Sequence, residues 1–219
     1  MTHLQKFWES TVGKKVVMGI TGLMLVGFVI LHMIGNLQFF LGPDRFNAYS
    51  KLLQVDLIEI TWAMRAGLLA AVAFHILAAW QVTQRNNAAR PTGYSKREPQ
   101  VTTYAARTMR WGGVYLLLFI IYHILHFTTG TVHPAFSHLQ AYGNVVIGFQ
   151  VVWVGLFYLG AMAFLALHLY HGVWACFRSL GLAPPSNDPL ARRVALLIAI
   201  AVPAGLSLLP LSVMLGFVR

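Results

Sequence analysis

Five long apolar stretches run through the 219-residue sequence, and they limit what the chain can fold into. About 20 apolar residues in a helix cross the roughly 30 Å hydrocarbon core of a bilayer, where each backbone N–H and C=O group needs a partner within the protein. Only 10% of the residues are charged, whereas soluble domains carry about 25%. The sequence therefore predicts an all-α integral membrane protein with a single domain over 1–219. The five predicted transmembrane helices cover about 15–40, 58–82, 111–130, 145–177 and 194–217.

Two of these stretches have unusual features, and the first is not a removable leader. The fourth stretch is too long to stand upright, so we expect it to tilt or to extend past the bilayer. The fifth contains Pro203 and Pro210, and kinked helices are tolerated in membranes. The N-terminal segment MTHLQKFWES lacks the apolar core and small-residue cleavage site of a signal peptide. We therefore expect the first stretch to remain as a membrane helix.

Positive charge is concentrated in alternate connections between the apolar stretches. Twelve of the sixteen Lys and Arg residues lie in the N-terminal segment, the 83–110 loop and the 178–193 loop. By the positive-inside rule these segments face the cytoplasm, so five spans place the C-terminus outside. We expect a multi-pass protein of the inner (cytoplasmic) cell membrane. The same bias explains the net charge of +10, so nucleic acid is not an expected partner.

A single cysteine, Cys176, restricts the redox and metal chemistry of the chain. It excludes disulfides within the chain, zinc-finger spacing, cysteine-ligated iron–sulfur clusters and a covalent C-x-x-C-H haem.

Four of the five apolar stretches contain a histidine deep inside, where an ionisable side chain is costly and needs a reason. One such residue alone could be a packed hydrogen-bonding side chain or part of a proton path. One on each of four helices suggests a bundle that holds two haems, because two bis-histidine haems need four histidines and bundles place cofactors between facing helices. The candidates are His32, His75, His123 or His126, and His168 or His171.

The depths of these histidines sort them into two pairs. Depth is counted from the Lys or Arg at the predicted cytoplasmic border, at 1.5 Å per helical residue. His32 and His123 then lie about 25 and 20 Å from that border. His75 and His168 each lie about 15 Å from it. We call His32 and His123 the outer pair and His75 and His168 the inner pair, and the two levels suggest an electron path across the membrane.

Two stretches carry two histidines three residues apart, and one iron cannot take both from the same helix. A phenylalanine precedes three of the histidines by four residues, at Phe28–His32, Phe119–His123 and Phe164–His168. This repeated spacing favours His123 and His168 as ligands. His126 and His171 are then expected to hydrogen-bond a haem propionate or merely to pack.

Several segments together resemble the dihaem cytochrome b membrane anchor of succinate:quinone oxidoreductases. They are STVGKKVVMGITGLMLVGFVILHMIGNL, GPDRFNAYSKLL, RNNAARPTGY and HLYHGVW. The resemblance covers nearly the whole chain and implies two haem b groups. In that family the first histidine of the third and fourth helices is the ligand, which matches His123 and His168. The family also pairs helix one with three and helix two with four, in agreement with the depths.

The resemblance further implies a respiratory-chain complex of the tricarboxylic acid cycle. Its flavoprotein subunit carries FAD and its iron–sulfur subunit carries clusters, and both dock on the cytoplasmic side. This chain has neither a dinucleotide fingerprint nor cluster cysteines, and STVGKK lacks the spaced glycines of a P-loop. Electrons would pass from succinate through the partner subunits and the inner haem to the outer haem and a quinone, with menaquinone the expected acceptor.

Three functions remain open at this stage. The first is the succinate dehydrogenase anchor, with the fumarate reductase direction equally compatible. The second is the cytochrome b subunit of another quinone-linked complex, such as a hydrogenase or formate dehydrogenase. The third is a haem-free transporter with histidine relays.

Two charged residues near the outer end of the second stretch are candidates for quinone and haem contacts. Quinone reduction consumes two protons, and Glu59 is the candidate proton residue, although acids are favoured at helix starts in any case. Arg65 lies deeper, where it would need a partner such as a propionate of the outer haem, or would extend to the outer headgroups.

The 83–110 loop is longer than a simple helix connection, which usually has two to eight residues. It carries six basic residues against one acid, Glu98. Rim charges set the rate and register of association, so we expect this loop, including Arg90 and Arg97, to dock the iron–sulfur subunit.

Overall fold

The computed structural model describes residues 2–89, 103–182, 184 and 188–218. No β-strand occurs in these ranges, which confirms the predicted all-α class. The helices are α1 (His3–Glu9), α2 (Thr11–Leu37), α3 (Pro43–Lys51), α4 (Ile58–Ala88), α5 (Tyr104–His123), α6 (Ala141–Gln150), α7 (Val152–Ser179) and α8 (Asp188–Met214). A 3-10 turn at Gln38–Leu41 extends α2, and π-helical turns follow α3 at Leu52–Asp56 and α5 at Ile124–Thr128.

Five helical segments are long and apolar enough to cross a membrane, as the sequence predicts. They are Thr11–Leu41, Ile58–Ala88, Tyr104–Thr128, Val152–Ser179 and Asp188–Met214. The second continues past the predicted boundary at 82. The long stretch at 145–177 is divided, because Val151 leaves the helical region with φ −80° and ψ 98°. Its first part is α6 and only α7 is a spanning helix, so the excess length is a separate short helix.

Side-chain caps fix where two of the long helices begin. Ser10 Oγ accepts a hydrogen bond from the Gly13 N–H at 2.8 Å. This N–H lies in the first turn of α2, where backbone N–H groups have no partner within the helix. Thr103 Oγ1 likewise accepts from the Ala106 N–H at the start of α5, at 3.2 Å. Lys14 Nζ donates to the Trp8 carbonyl at 2.7 Å and so ties α1 to α2. All three contacts lie at the end of the bundle that carries the N-terminus, which we call the inner end after the predicted orientation.

The helices pack in a defined order around the bundle. The closest neighbours are α7 with α8, α2 with α4, α5 with α7, and α2 with α7. Within the described parts of the chain, α4 makes few or no close backbone contacts with α7, and the same holds for α2 and α5. These two pairs of helices lie diagonally across the bundle, and we call the region between the two helices of a diagonal pair a gap.

Two apolar cores hold the bundle at different levels. The core toward the inner end lies between α7 and α8 and consists of Leu169, Val173, Ala195, Ala199 and Val202. The core toward the opposite, outer end joins α3, α6, α7 and α8 and includes Phe39, Phe46, Phe149, Tyr158 and Leu209. The outer core contains large aromatic rings, whereas small side chains let α7 and α8 approach closely in the inner one.

Candidate metal centres in the bundle

The outer pair meets across the gap between α2 and α5. The ring centroids of His32 and His123 are 5.7 Å apart, with ring planes at 89°. Phe28 stacks on His32 and Phe119 on His123, at centroid distances of 5.3 and 5.7 Å. His123 Nδ1 lies 3.2 Å from the hydroxyl of Tyr158 on α7. The outer pair is therefore oriented by aromatic stacking on both sides and by one side-chain hydrogen bond.

The inner pair meets across the gap between α4 and α7. The ring centroids of His75 and His168 are 6.2 Å apart. His75 Nδ1 lies 3.1 Å from the Met18 carbonyl oxygen and 3.3 Å from Thr21 Oγ1, whose hydroxyl donates to Val17 at 2.7 Å. Because a carbonyl oxygen can only accept, the proton of His75 resides on Nδ1. Its Nε2 therefore presents a lone pair, which is the arrangement of a metal-binding histidine oriented by a backbone carbonyl.

The two pairs lie at separate levels, and two helices give the same spacing. On α2, the His75 contact at Thr21 precedes His32 by eleven residues, or roughly 16 Å along the helix. On α7, the His123 contact at Tyr158 precedes His168 by ten residues, or roughly 15 Å. This separation of the two levels exceeds the separation of roughly 5–10 Å that follows when depths are counted from the basic residues at the membrane border. Long Lys and Arg side chains reach the membrane border from different depths, so they mark it only coarsely.

The residues of both pairs fit a bis-histidine haem. Two imidazoles bound to one metal ion at about 2 Å place their ring centroids roughly 6 Å apart. The observed distances of 5.7 and 6.2 Å are close to this value. Imidazole is also a haem-iron ligand in proteins. The helices that carry each pair make few or no close backbone contacts with each other, so the two rings meet between helices that are not direct neighbours. The described residues form no cluster of three or more His, Cys, Asp or Glu side chains, so two-histidine pairs are the donor sets present there.

His126 points away from the outer pair into a separate buried cluster. Its side chain is fully buried, and its Nδ1 lies 3.1 Å from the Tyr158 hydroxyl. Its ring stacks on His133 at 5.0 Å. Residues three apart already differ by about 60° in direction on an α-helix, and the π-helical turn that begins directly after His123 changes the direction of His126 further. The structure thus brings His123, not His126, against His32.

His171 lies beside a small crevice near the inner end. Its ring is 6.1 Å from that of Trp174, and the crevice is also lined by Thr103, Tyr170 and Arg192. The buried Nδ1 atoms of His168 and His171 have no hydrogen-bond partner among the described residues. A buried polar group without a partner costs about 1–3 kcal/mol. These two nitrogens are therefore candidates for contact with a group other than the described residues.

The repeated Phe-x-x-x-His spacing gives a ring contact at two of its three positions. Phe28 and Phe119 do stack on their histidines, but Phe164 packs against Tyr115 at a centroid distance of 4.7 Å. His126 has an aromatic neighbour at the same spacing, Tyr122, at 5.4 Å. Side chains four apart meet on any helix. Helical geometry alone accounts for these contacts, and the choice of His123 and His168 as ligands stays a prediction.

Glu59 and Arg65 both lie near the outer start of α4. Glu59 is exposed in the first turn, where the helix dipole favours an acid. Arg65 is partly exposed, and its guanidinium lies 5.0 Å from the centroid of the Trp62 ring on the same helix. No hydrogen bond or ion pair joins either side chain to another described residue. The proton role of Glu59 and the propionate role of Arg65 stay predictions.

The loop residues expected to dock a partner, Arg90 and Arg97, lie outside the described residues. Arg85, just before them, donates from its guanidinium to the Glu9 carbonyl of α1. The inner end of α4 is thus joined to the N-terminal helix.

Sequence reasoning missed the polar cluster beside the outer pair. Tyr158 is 6% exposed and lies within hydrogen-bond distance of two histidines. His133 Nε2 donates to the Asn144 carbonyl at 2.8 Å. The Asn144 side chain in turn accepts from the Ser137 N–H and donates to the Ser137 carbonyl, which ties the connection before α6 to that helix. A tyrosine inside an apolar helix was the available signal, since a buried hydroxyl needs a partner. Its partner could not be deduced without knowing which faces of α5 and α7 meet.

Comparison of the chain with protein-family models, with curated proteins and with solved structures gives no match.

Proposed function

We propose that this chain is the dihaem cytochrome b membrane anchor of a succinate:quinone oxidoreductase. One observation carries the proposal. Two histidine pairs lie at two levels of one helix bundle, and each pair faces across a gap between helices that do not pack closely. The apolar interior of a haem-free bundle does not require four histidine side chains, each costly within a membrane, to meet in twos at two levels.

Each side chain of the pairs has a definite task in this proposal. His75 and His168 would hold the inner haem, and His32 and His123 the outer one. When bound, the two haems supply one-electron carriers between the cytoplasmic iron–sulfur subunit and a quinone in the membrane. The Met18 carbonyl orients the His75 ring, and Tyr158 orients His123. The apolar side chains around both pairs keep water away from the rings.

Partner docking belongs to the inner end. That end carries the basic segments of the predicted cytoplasmic side, so the flavoprotein with FAD and the iron–sulfur subunit would bind there. Menaquinone is the proposed acceptor, and Glu59, exposed at the outer start of α4, is the proposed proton residue for it. The location is the inner cell membrane, with the N-terminus in the cytoplasm.

The experiment that tests the proposal is purification of the intact complex with subunit identification and haem spectroscopy. We expect a b-type band in the reduced-minus-oxidised spectrum, two haems per chain by pyridine haemochrome, and a co-purifying flavoprotein that oxidises succinate. Absence of a b-type band would support the haem-free transporter instead. Two haems with a hydrogenase or formate dehydrogenase partner would support the second alternative.

A further inference from the structure

The hydroxyl of Tyr158 lies between two histidines that come from consecutive turns of one segment. It is 3.2 Å from His123 Nδ1 and 3.1 Å from His126 Nδ1. His126 is fully buried and Tyr158 is 6% exposed, so these two side chains are shielded from the surroundings of the bundle. The inner pair has a different arrangement, because His75 is held there by a backbone carbonyl.

Binding of a metal by His123 would fix the direction of these two hydrogen bonds. A tyrosine hydroxyl has one proton, so it donates to one histidine and accepts from the other. If His123 donated nothing and accepted from Tyr158, its proton would reside on Nε2, and that nitrogen could not bind a metal. His123 can be a ligand through Nε2 only when its Nδ1–H donates to Tyr158. The Tyr158 hydroxyl must then donate to His126 Nδ1.

His126 is held firmly enough to act as that acceptor. Its ring is 4.1 Å from Phe127 and 5.0 Å from His133, centroid to centroid. A Cβ atom at Gly148 would lie 2.9 Å from His126 Cε1, so the glycine lets α6 lie directly against the ring. These neighbours keep Nδ1 aimed at Tyr158. The proton of His126 then lies on Nε2, which has no partner among the described residues.

We propose that Tyr158, held in place by His126, is a positioning residue that fixes His123 in the tautomer able to bind the outer metal. The inference rests on the proposed function. It gives His126 a role that is neither ligand nor propionate contact. The Tyr158 hydroxyl would also affect the reduction potential of the outer metal. A histidine that donates a hydrogen bond from Nδ1 is a more basic metal ligand. Loss of that acceptor should make the iron easier to reduce.

The test is the Tyr158→Phe variant in the intact complex, with the reduction potentials of both haems measured at equilibrium. We expect the outer haem to become easier to reduce by roughly tenfold in its equilibrium constant, which is about 59 mV for one electron. The inner haem serves as the internal reference and should not change. Tyr122→Phe is the matched control. The Tyr122 ring lies in the same aromatic cluster, 6.3 Å from that of Tyr158, and forms no hydrogen bond with a histidine of the described chain.

A second pair of variants keeps the proposal testable if Tyr158→Phe fails to assemble. His126→Leu removes the acceptor of the Tyr158 hydroxyl, whereas the side-chain oxygen of His126→Asn can occupy the place of Nδ1. We expect His126→Leu to shift the outer haem in the same direction by less, and His126→Asn to restore it toward the wild-type value.

The outcomes separate this inference from the proposed function. Wild-type complex without haem would overturn the proposed function and this inference with it. Two haems whose potentials stay the same in Tyr158→Phe and in His126→Leu would overturn this inference alone. An equal shift of both haems would also overturn it, because a general loosening of the bundle would explain that result.

Discussion

The outer pair and the inner pair share one feature. In each pair, the Nδ1 of one histidine has a hydrogen-bond partner among the described residues, and the Nδ1 of the other histidine has none. The anchored members are His75 and His123, on the two helices at the edges of the bundle. The acceptors differ in kind. A main-chain carbonyl of α2 holds His75, and a side-chain hydroxyl of α7 holds His123. A backbone acceptor persists whatever residue occupies its position, whereas a side-chain acceptor can be exchanged by one mutation.

The surroundings of the two pairs also differ, with side chains around the outer pair and mainly backbone and small residues around the inner pair. The outer pair adjoins a cluster of aromatic and polar side chains that includes Tyr158, His126 and His133, closed off by α3 and α6. The inner pair adjoins backbone and small residues, since Gly22 of α2 lies directly against the His75 ring. Side-chain substitutions can therefore change the surroundings of the outer pair, whereas the surroundings of the inner pair depend on how closely α2 and α4 approach.

The largest expected effect is loss of a haem from the outer pair. His123→Ala should remove one haem, because its ring faces His32 at 5.7 Å. His126→Ala is the matched control three residues away and should leave two, because its ring is turned toward Tyr158 and His133. Haem per protein, from pyridine haemochrome and protein assay, decides between them. Loss of a haem only in His126→Ala would reverse the assignment.

The next effect concerns the order of the two centres. In His75→Ala, succinate should still reduce the iron–sulfur clusters, but the remaining haem should be reduced slowly, because the centre nearer the soluble subunits is disturbed. Stopped-flow spectroscopy of the haem band measures the rate. Reduction of the remaining haem in His75→Ala at the wild-type rate would contradict an inner-to-outer path.

The pairing of helices could be predicted from the sequence, whereas the anchoring could not. Counting 1.5 Å per residue along helices of known direction sorts His32, His75, His123 and His168 into two levels without any tertiary information. The break at Val151 and the π-helical turn after His123 interrupt segments whose apolar composition continues unchanged, so the apolar pattern does not reveal them. Tyr158 is recognisable only after the rotation of α7 is known.

The smallest predicted effect tests how closely α2 must approach His75. An added Cβ at Gly22 would lie 3.3 Å from His75 Cε1 and 3.6 Å from its Nδ1, so the ring must move by a few tenths of an ångström in Gly22→Ala. Such a shift lengthens the contact between His75 Nδ1 and the Met18 carbonyl, which weakens one hydrogen bond worth about 1 kcal/mol. We expect both haems to bind and only the inner one to change its low-temperature spectrum and potential. Gly27→Ala is the matched control on the same helix, because an added Cβ there meets no atom within 4 Å. If Gly22→Ala altered the outer haem as much as the inner one, the two centres would not be anchored independently, and the contrast between a backbone-held and a side-chain-held pair would fail.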